Sequence, residues 1–305
     1  MNIKEKLKKN KIILNLYNKI NKFYNVTLCK FSSTLVSKKL YRQIKGKKLN
    51  LKNPITFNEK LMYIKLKNYN KNENVFQCSD KYLVREYAIN KGVSEKNLPK
   101  LLKVYKNTKE INFDELPNQF VLKCSHGCGF NIVCKEKNKL NKDEAIKKLN
   151  KWKKIKFGYE TGEKHYTHIK PTIFCEKFIQ NENGGFPNDY KIYCFHGEPK
   201  LVLVCSEREE KLRLNFFDLS WKELLIGTEN YRSKNKIAKP KHLEKMLDIA
   251  KKVSKDFPFV RVDFYEHKNE VILGEMTFTP AGCVAQYYTE EGEKYLGSLL
   301  DLNKK

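Results

Sequence analysis

The stretch FVRVDFYEHKNEVILGEMTFTP, residues 259–280, sets two acidic residues, Asp263 and Glu275, among apolar neighbours alternating as a sheet does. A carboxylate in a sheet interior is costly unless it is paired or bound to a metal. A three-residue turn at His267–Asn269 is expected to close a hairpin. In that register Asp263 faces Leu273, Arg261 faces Glu275, and the two acids share a face one diagonal step apart, about 7–8 Å in backbone terms. A two-residue loop would send them to opposite faces. Two readings of the pair stand at this point. The acids are ligands of a Mg²⁺ that keeps phosphates and waters in its shell, or Arg261 simply neutralises Glu275 on an exposed sheet.

Working outward, FVLKC (120–124) reads as a strand, SHGCGF as a turn and NIVC as its partner. A lysine ending a strand before Gly127 and Gly129 is one way to bring amides and a cation to phosphates. The same residues would also serve an ordinary hairpin, and they match neither a Walker A loop nor a dinucleotide fingerprint. Further strands are expected at 172–179, 189–195 and 200–206. Thr56 and Glu59 have capping-box spacing and should open a helix. Other helices are expected at 80–91, at 141–157 with Ala145, Ile146, Leu149 and Trp152 along one stripe, and from Pro240 to about Lys255. Residues 41–53 read as a basic connector. Strand runs with helices interposed predict an α+β fold with largely antiparallel sheet.

The 305 residues carry 61 Lys+Arg against 35 Asp+Glu, a formal net charge of +26. Such a surface attracts anionic partners, although lysine spread along an asparagine-rich chain is also a compositional bias. The 17 Tyr and 18 Phe fall at core-like periodicities and no nucleic-acid-binding signature occurs, so nucleic acid is not the expected partner. Nine cysteines without a CxxC pair, and no apolar leader, point to reduced thiols in a cytoplasm. Cys124, His126, Cys128 and Cys134 crowd together at a spacing that matches no common zinc pattern. His165 and His168 read as structural or substrate-loop residues, and Asn183-Gly184-Gly185 as a loop near the acceptor. Apolar runs are too short to span a bilayer. Residues 1–25 alternate apolar residues and lysines at helical spacing. That pattern fits a helix packed on the protein or one lying on an anionic membrane.

Taken in order, SDKYLVREY (79–87), FVLKCSHGCGFNIV (120–133), IFCEKFI (173–179), DYKIYCFHGEPK (189–200), CSER (205–208) and FVRVDFY…GEMTFTP (259–280) resemble the ATP-grasp superfamily. NPITFNEKL (53–61) adds a likeness to its TupA-like branch, associated with teichuronopeptide and other cell-surface polysaccharide synthesis. The resemblance implies an ATP-grasp fold: two α+β lobes, a small middle lobe and a C-terminal antiparallel sheet, clasp a nucleotide behind a helical N-terminal region. The corresponding segments are a basic amphipathic stretch at 1–40, a mostly helical domain at 41–115, the small lobe at 116–180 and the metal-binding lobe at 181–305.

The same resemblance implies roles. Lys81 and Lys123 would meet the phosphates of ATP under a loop of Ser125, His126, Gly127 and Gly129. Glu176, Lys177, Phe178 and Ile179 would line the adenine pocket. Asp263 and Glu275 would hold Mg²⁺, with Thr277 where many relatives have asparagine, which leaves a second Mg²⁺ open. Lys191, Arg208 and Arg261 would stabilise the transferring phosphoryl group. The activity implied is a carboxylate–amine ligase joining an amine to a uronic-acid-type glycan or lipid-linked saccharide, in the cytoplasm or at the inner membrane face. Three other readings stay open. They are a kinase that stops at phosphoryl transfer, a glycosyltransferase (whose usual DxD is here Asp263-Phe264-Tyr265), and a non-catalytic basic binding module.

Overall fold

The computed structural model describes residues 11–181, 185–207 and 211–304. Helices Lys11–Phe31 and Ser33–Lys45 open it, and Ser32 caps the second by accepting the Leu35 amide. That second helix absorbs the first five residues of the expected 41–53 connector and ends at Gly46, whose φ of +71° supplies the left-handed cap. The Thr56/Glu59 capping box opens the helix Phe57–Lys67. Short helices Glu73–Ser79 and Val84–Asn90 follow. Between them the chain turns at Asp80, whose carboxylate accepts the Tyr82 and Leu83 amides.

Strands β1 (Leu101–Tyr105), β2 (Phe120–Cys124), β3 (Asn131–Cys134) and β4 (Ile173–Lys177) form an antiparallel sheet in the order β1-β4-β2-β3. Helix Lys142–Lys153 covers it and buries Ala145 and Leu149, with Ile146 and Trp152 at the margin. Strands β5 (Asp189–Phe195), β6 (Glu198–Ser206), β7 (Arg213–Phe217), β8 (Glu223–Leu224), β9 (Phe259–His267) and β10 (Glu270–Thr277) form a second antiparallel sheet, ordered β10-β9-β5-β6-β7-β8. Helix Leu243–Ser254 packs against β5, β6 and β9.

Each sheet has its own apolar core. Phe57, Leu61, Met62, Tyr69 and Val84 share theirs with β5, β6 and β9, so the N-terminal helices and the six-stranded sheet form one packed body. The small sheet's core includes Tyr105 of β1, ahead of the boundary expected at residue 116.

The β9–β10 hairpin departs from its expected register. Its turn has two residues, Lys268 and Asn269, with φ of 49° and 63°, the left-handed pair that matches strand twist. Continued unbroken, that register would set Gly274 opposite Asp263 and turn Glu275 to the other face. A bulge between Leu273 and Glu275 prevents this. Gly274 is the extra residue, Glu275 stands directly across from Asp263, and Thr277, not Glu275, faces Arg261. A Cβ at Gly274 would come within 2.7 Å of the Tyr265 ring, which is why glycine occupies the bulge.

Tyr69 fastens the open end of this hairpin. Fully buried, it donates to the Phe259 carbonyl (2.6 Å), accepts from the Phe259 amide (3.2 Å) and packs edge-on against Phe278. His165 is also fully buried, beside Asn70, and burial lowers its pKa to about 3. His168 stacks on Phe76 with ring centroids 4.2 Å apart.

Tyr69→Phe leaves both Phe259 backbone groups short of a partner. It should lower the unfolding free energy by about 1–3 kcal/mol, read as a lower urea midpoint at unchanged slope. An unchanged midpoint would refute the clamp. His165 is neutral when folded, whereas an unfolded histidine titrates near ~6.5. Stability therefore declines as pH falls from about 6.5 towards about 3. His165→Gln should remove roughly 2 kcal/mol of the decline between about pH 6.5 and 5; equal slopes for both proteins would assign the loss elsewhere.

Candidate functional site

The bulged hairpin aligns charged side chains across three strands. Glu275 on β10, Asp263 on β9 and Lys191 on β5 are successive cross-strand partners. Alternation with period two adds Thr277, Arg261 and Asp189 to the same face. Asp263 is fully buried with both oxygens engaged. Arg261 donates Nε to Oδ1 and Nη2 to Oδ2, each at 2.7 Å, and Lys191 Nζ donates to Oδ2 at 2.5 Å. Arg261 also donates to Thr277 Oγ1 (3.1 Å) and lies 3.8 Å from Glu275 Oε1. Lys191 reaches Asp189 as well, at 2.5 Å.

Burial pushes the Asp263 carboxyl up, and Arg261 and Lys191 pull against it. Burial likewise opposes charge on Lys191, yet Asp263 and Asp189 hold its ammonium above the ordinary range. Glu275 keeps 33% of its side chain exposed and accepts from Lys81 at 2.8 Å. Lys81, with Lys191 and Arg261 behind it, holds the Glu275 carboxyl well below the usual carboxylate range despite partial burial.

The facing wall belongs to the small sheet. Lys123 on β2 pairs with the buried Glu176 on β4 at 2.6 Å, and Arg85 lies 3.5 Å from the other Glu176 oxygen. Strand pairing ends at Lys177, and Phe178 and Ile179 carry the wall onward beyond the ladder. The turn after β2 divides by role. Ser125 is buried and donates to Asp80 Oδ2 (3.0 Å), while its carbonyl accepts the Lys81 amide (3.1 Å). His126 is buried with Nε2 3.1 Å from the carbonyls of Trp152 and Ile155. Gly127 packs where a Cβ would sit 2.6 Å from the Phe130 ring. These three hold the turn, and Gly129, with φ +74°, reaches the cleft beside Cys128.

Between the walls lies a cleft of about 370 Å³, within the range of small-molecule sites. Lys81, Lys123, Lys191, Glu176 and Glu275 line it together with Val121, Lys177, Phe178 and Ile179. Asp263, Arg261 and Thr277 stand behind this surface, joined to it through Lys191 and Glu275. Arg208 lies outside the described residues.

Three site residues were not anticipated. Asp189 carried a usable signal, since it heads DYKIYCF two positions before Lys191 and so shares its face. Arg85 and Asp80 act through partners far along the chain, Glu176 and Ser125, which no local pattern reveals. The oxygen donors of Glu275, Asp263 and Thr277 suit a hard cation such as Mg²⁺. Among the described residues no three His, Cys, Asp or Glu side chains form a metal cage.

A family model described as TupA-like ATPgrasp matches residues 59–301. Among solved structures, the D-alanine–D-alanine ligase from Bacillus anthracis complexed with ATP is 14% identical, with a TM-score of 0.43 over 74% of this chain and 64% of that one. The corresponding ligase from Helicobacter pylori is 20% identical, with a TM-score of 0.38 over 74% and 61%. An L-amino acid ligase from Bacillus licheniformis is 10% identical, with a TM-score of 0.40 over 67% and 41%. This chain therefore spans less than two thirds of the length of each of these three structures. No curated protein matches the chain.

Burial separates the two acids energetically. Asp263→Asn strips two buried cations of their shared partner and should cost about 3–5 kcal/mol. Glu275→Gln, part-exposed with one close partner, should cost about 1 kcal/mol or less. Urea unfolding of both variants checks the order, and equal losses would show that the Asp263 cluster is not the structural anchor.

Proposed function

The chain belongs to the TupA-like ATP-grasp family and has the ATP-grasp fold of ligases that use ATP and Mg²⁺; from that premise we propose that it is a carboxylate–amine ligase working through an acyl phosphate. One observation carries this reading: Glu275 and Lys191, the outer members of a ladder whose centre is the buried Asp263, line one cleft with Lys81 and Lys123 from two other segments.

Glu275 and Asp263, with the Thr277 hydroxyl, would hold Mg²⁺, which when bound offsets the charge of the triphosphate. Lys81 and Lys123 bind the phosphates, and Gly129 lets the turn backbone approach them. The segment Glu176 to Ile179 lines the adenine pocket. Ser125, His126 and Gly127 hold the turn in place. Lys191 and Arg261, with Arg208 from outside the described residues, stabilise negative charge spread over the γ-phosphoryl oxygens during transfer. An oxygen of the acceptor carboxylate attacks the γ-phosphorus and ADP departs. An amine nitrogen then attacks the acyl carbon, inorganic phosphate leaves and the amine loses a proton. No side chain need act as nucleophile.

The pairing of the cations has a consequence for binding. Lys81 is held by Glu275, Lys123 by Glu176, and Arg261 and Lys191 by Asp263. Phosphates can take over the lysines cheaply only if the acids gain another cation, and Mg²⁺ can take the acids only if the lysines gain an anion. Nucleotide and metal should therefore bind synergistically.

The acceptor in this reading is a uronic-acid-type polysaccharide or its lipid-linked precursor, met at the inner face of the membrane. A surface of net charge +26 would raise the local concentration of such a polyanion.

Calorimetric titration with ATP should show affinity falling about tenfold or more when Mg²⁺ is withheld, and similarly in Glu275→Ala with Mg²⁺ present. ADP release should then require both a uronate and an amine. ADP formed without amine would reduce the activity to that of a kinase. Preference for a nucleotide-sugar would overturn the ligase reading.

A further inference from the structure

Among the described residues, the helix Lys11–Phe31 joins the protein along one side. Leu14, Tyr17, Asn21, Asn25 and Cys29 turn inward, and Lys39 donates to the Asn21 and Asn25 carbonyl oxygens at 2.7 and 2.6 Å. The opposite side carries an apolar stripe open to solvent: Ile12 is 80% exposed, Leu16 58%, Ile20 59%, Phe23 74% and Phe31 84%. At 100° per residue these five fall within about a third of the helix circumference. Leu35, 51% exposed, continues the apolar surface onto the next helix.

Cations predominate around this stripe, and Glu160 is the acid that pairs with the helix, through Lys22. Residues 11–58 contain eleven Lys+Arg and no Asp or Glu. Lys19 and Lys30 flank the stripe and are exposed. One turn from Leu35, Lys38 joins Lys52, Lys67 and Lys71 around a hollow floored by Leu49 and Tyr63, and none of these four lysines makes an ion pair among the described residues. A second copy of this chain fits the face poorly, because a two-fold contact would set an excess of cations against cations, with Glu160 already paired to Lys22. No described helix is long and apolar enough to cross a membrane.

We propose that this face docks on an anionic phospholipid bilayer, with the stripe at the acyl boundary and the lysines against headgroup phosphates. The contact does not depend on the ligase reading.

Co-sedimentation of the full chain with phosphatidylcholine vesicles, and with vesicles part-substituted by phosphatidylglycerol, tests it. Binding should favour the anionic vesicles, weaken with added salt, and fall about tenfold or more in the double variant Leu16→Glu/Phe23→Glu. ATP titration of that variant should match wild type, which separates failure of docking from failure of the nucleotide site. No binding, or equal binding to both vesicle types, would overturn the proposal. So would a dimer in sedimentation velocity that the same two substitutions disperse, since a second copy would then own the face.

Discussion

A carboxylate at the centre of a sheet is tenable only when its oxygens are satisfied, and Asp263 imposes that demand on everything around it. Arg261 answers from two positions earlier on the same strand, and Lys191 from the facing position on β5. The Arg261 contact is internal to β9, whereas the Lys191 contact exists in one register only. A one-residue slip between β5 and β9 would send Lys191 to the other face and leave Asp263 short of a cation, a loss of several kcal/mol. Charge and apolar packing therefore specify the same pairing, and the bulge at Gly274 extends that pairing to Glu275. The acid pair is an outcome of strand register before it is a ligand set.

The two lobes meet where this register is needed. The small sheet has a core of its own and could shift as a unit, yet it is latched to the segment that carries Lys81. Ser125 makes that latch, through its hydroxyl to Asp80 and its carbonyl to the Lys81 amide. Displacement of the turn would consequently drag Lys81 with it, altering the Lys81–Glu275 pair on the other wall. Ser125 and His126 thus bear on the cleft through what they hold, without lining it.

Sequence pattern made much of this fold legible because local chemistry announces local structure. The Thr56/Glu59 box, the alternation in DYKIYCF and the stripe from Ala145 to Trp152 all correspond to elements. The turn of the decisive hairpin was not legible. HKN reads equally well as a three-residue loop, and the structure instead combines a two-residue turn with a bulge. The expected facing of Asp263 with Leu273 and of Arg261 with Glu275 fails for that reason, although the two acids do share a face. A glycine within a strand is the available signal for a bulge, and Gly274 carried it. Pairings between residues distant in the chain, such as Arg85 with Glu176, leave no periodic trace and had to come from the fold.

The distribution of charge separates two kinds of electrostatics in one chain. In the cleft, Lys81, Lys123, Lys191 and Arg261 all have carboxylate partners, so this region contributes little to the net charge of +26. Residues 11–58 contribute eleven of those charges without a single acid. Salt at physiological strength screens exposed charges over about 8 Å and buried pairs much less. The N-terminal face is thus tuned for long-range attraction that ionic strength can modulate. The cleft is tuned for the opposite: close contacts, shielded from solvent, that change partners only when anion and metal arrive together. Because the two regions draw on different lysines, a change of charge on one can leave the other intact.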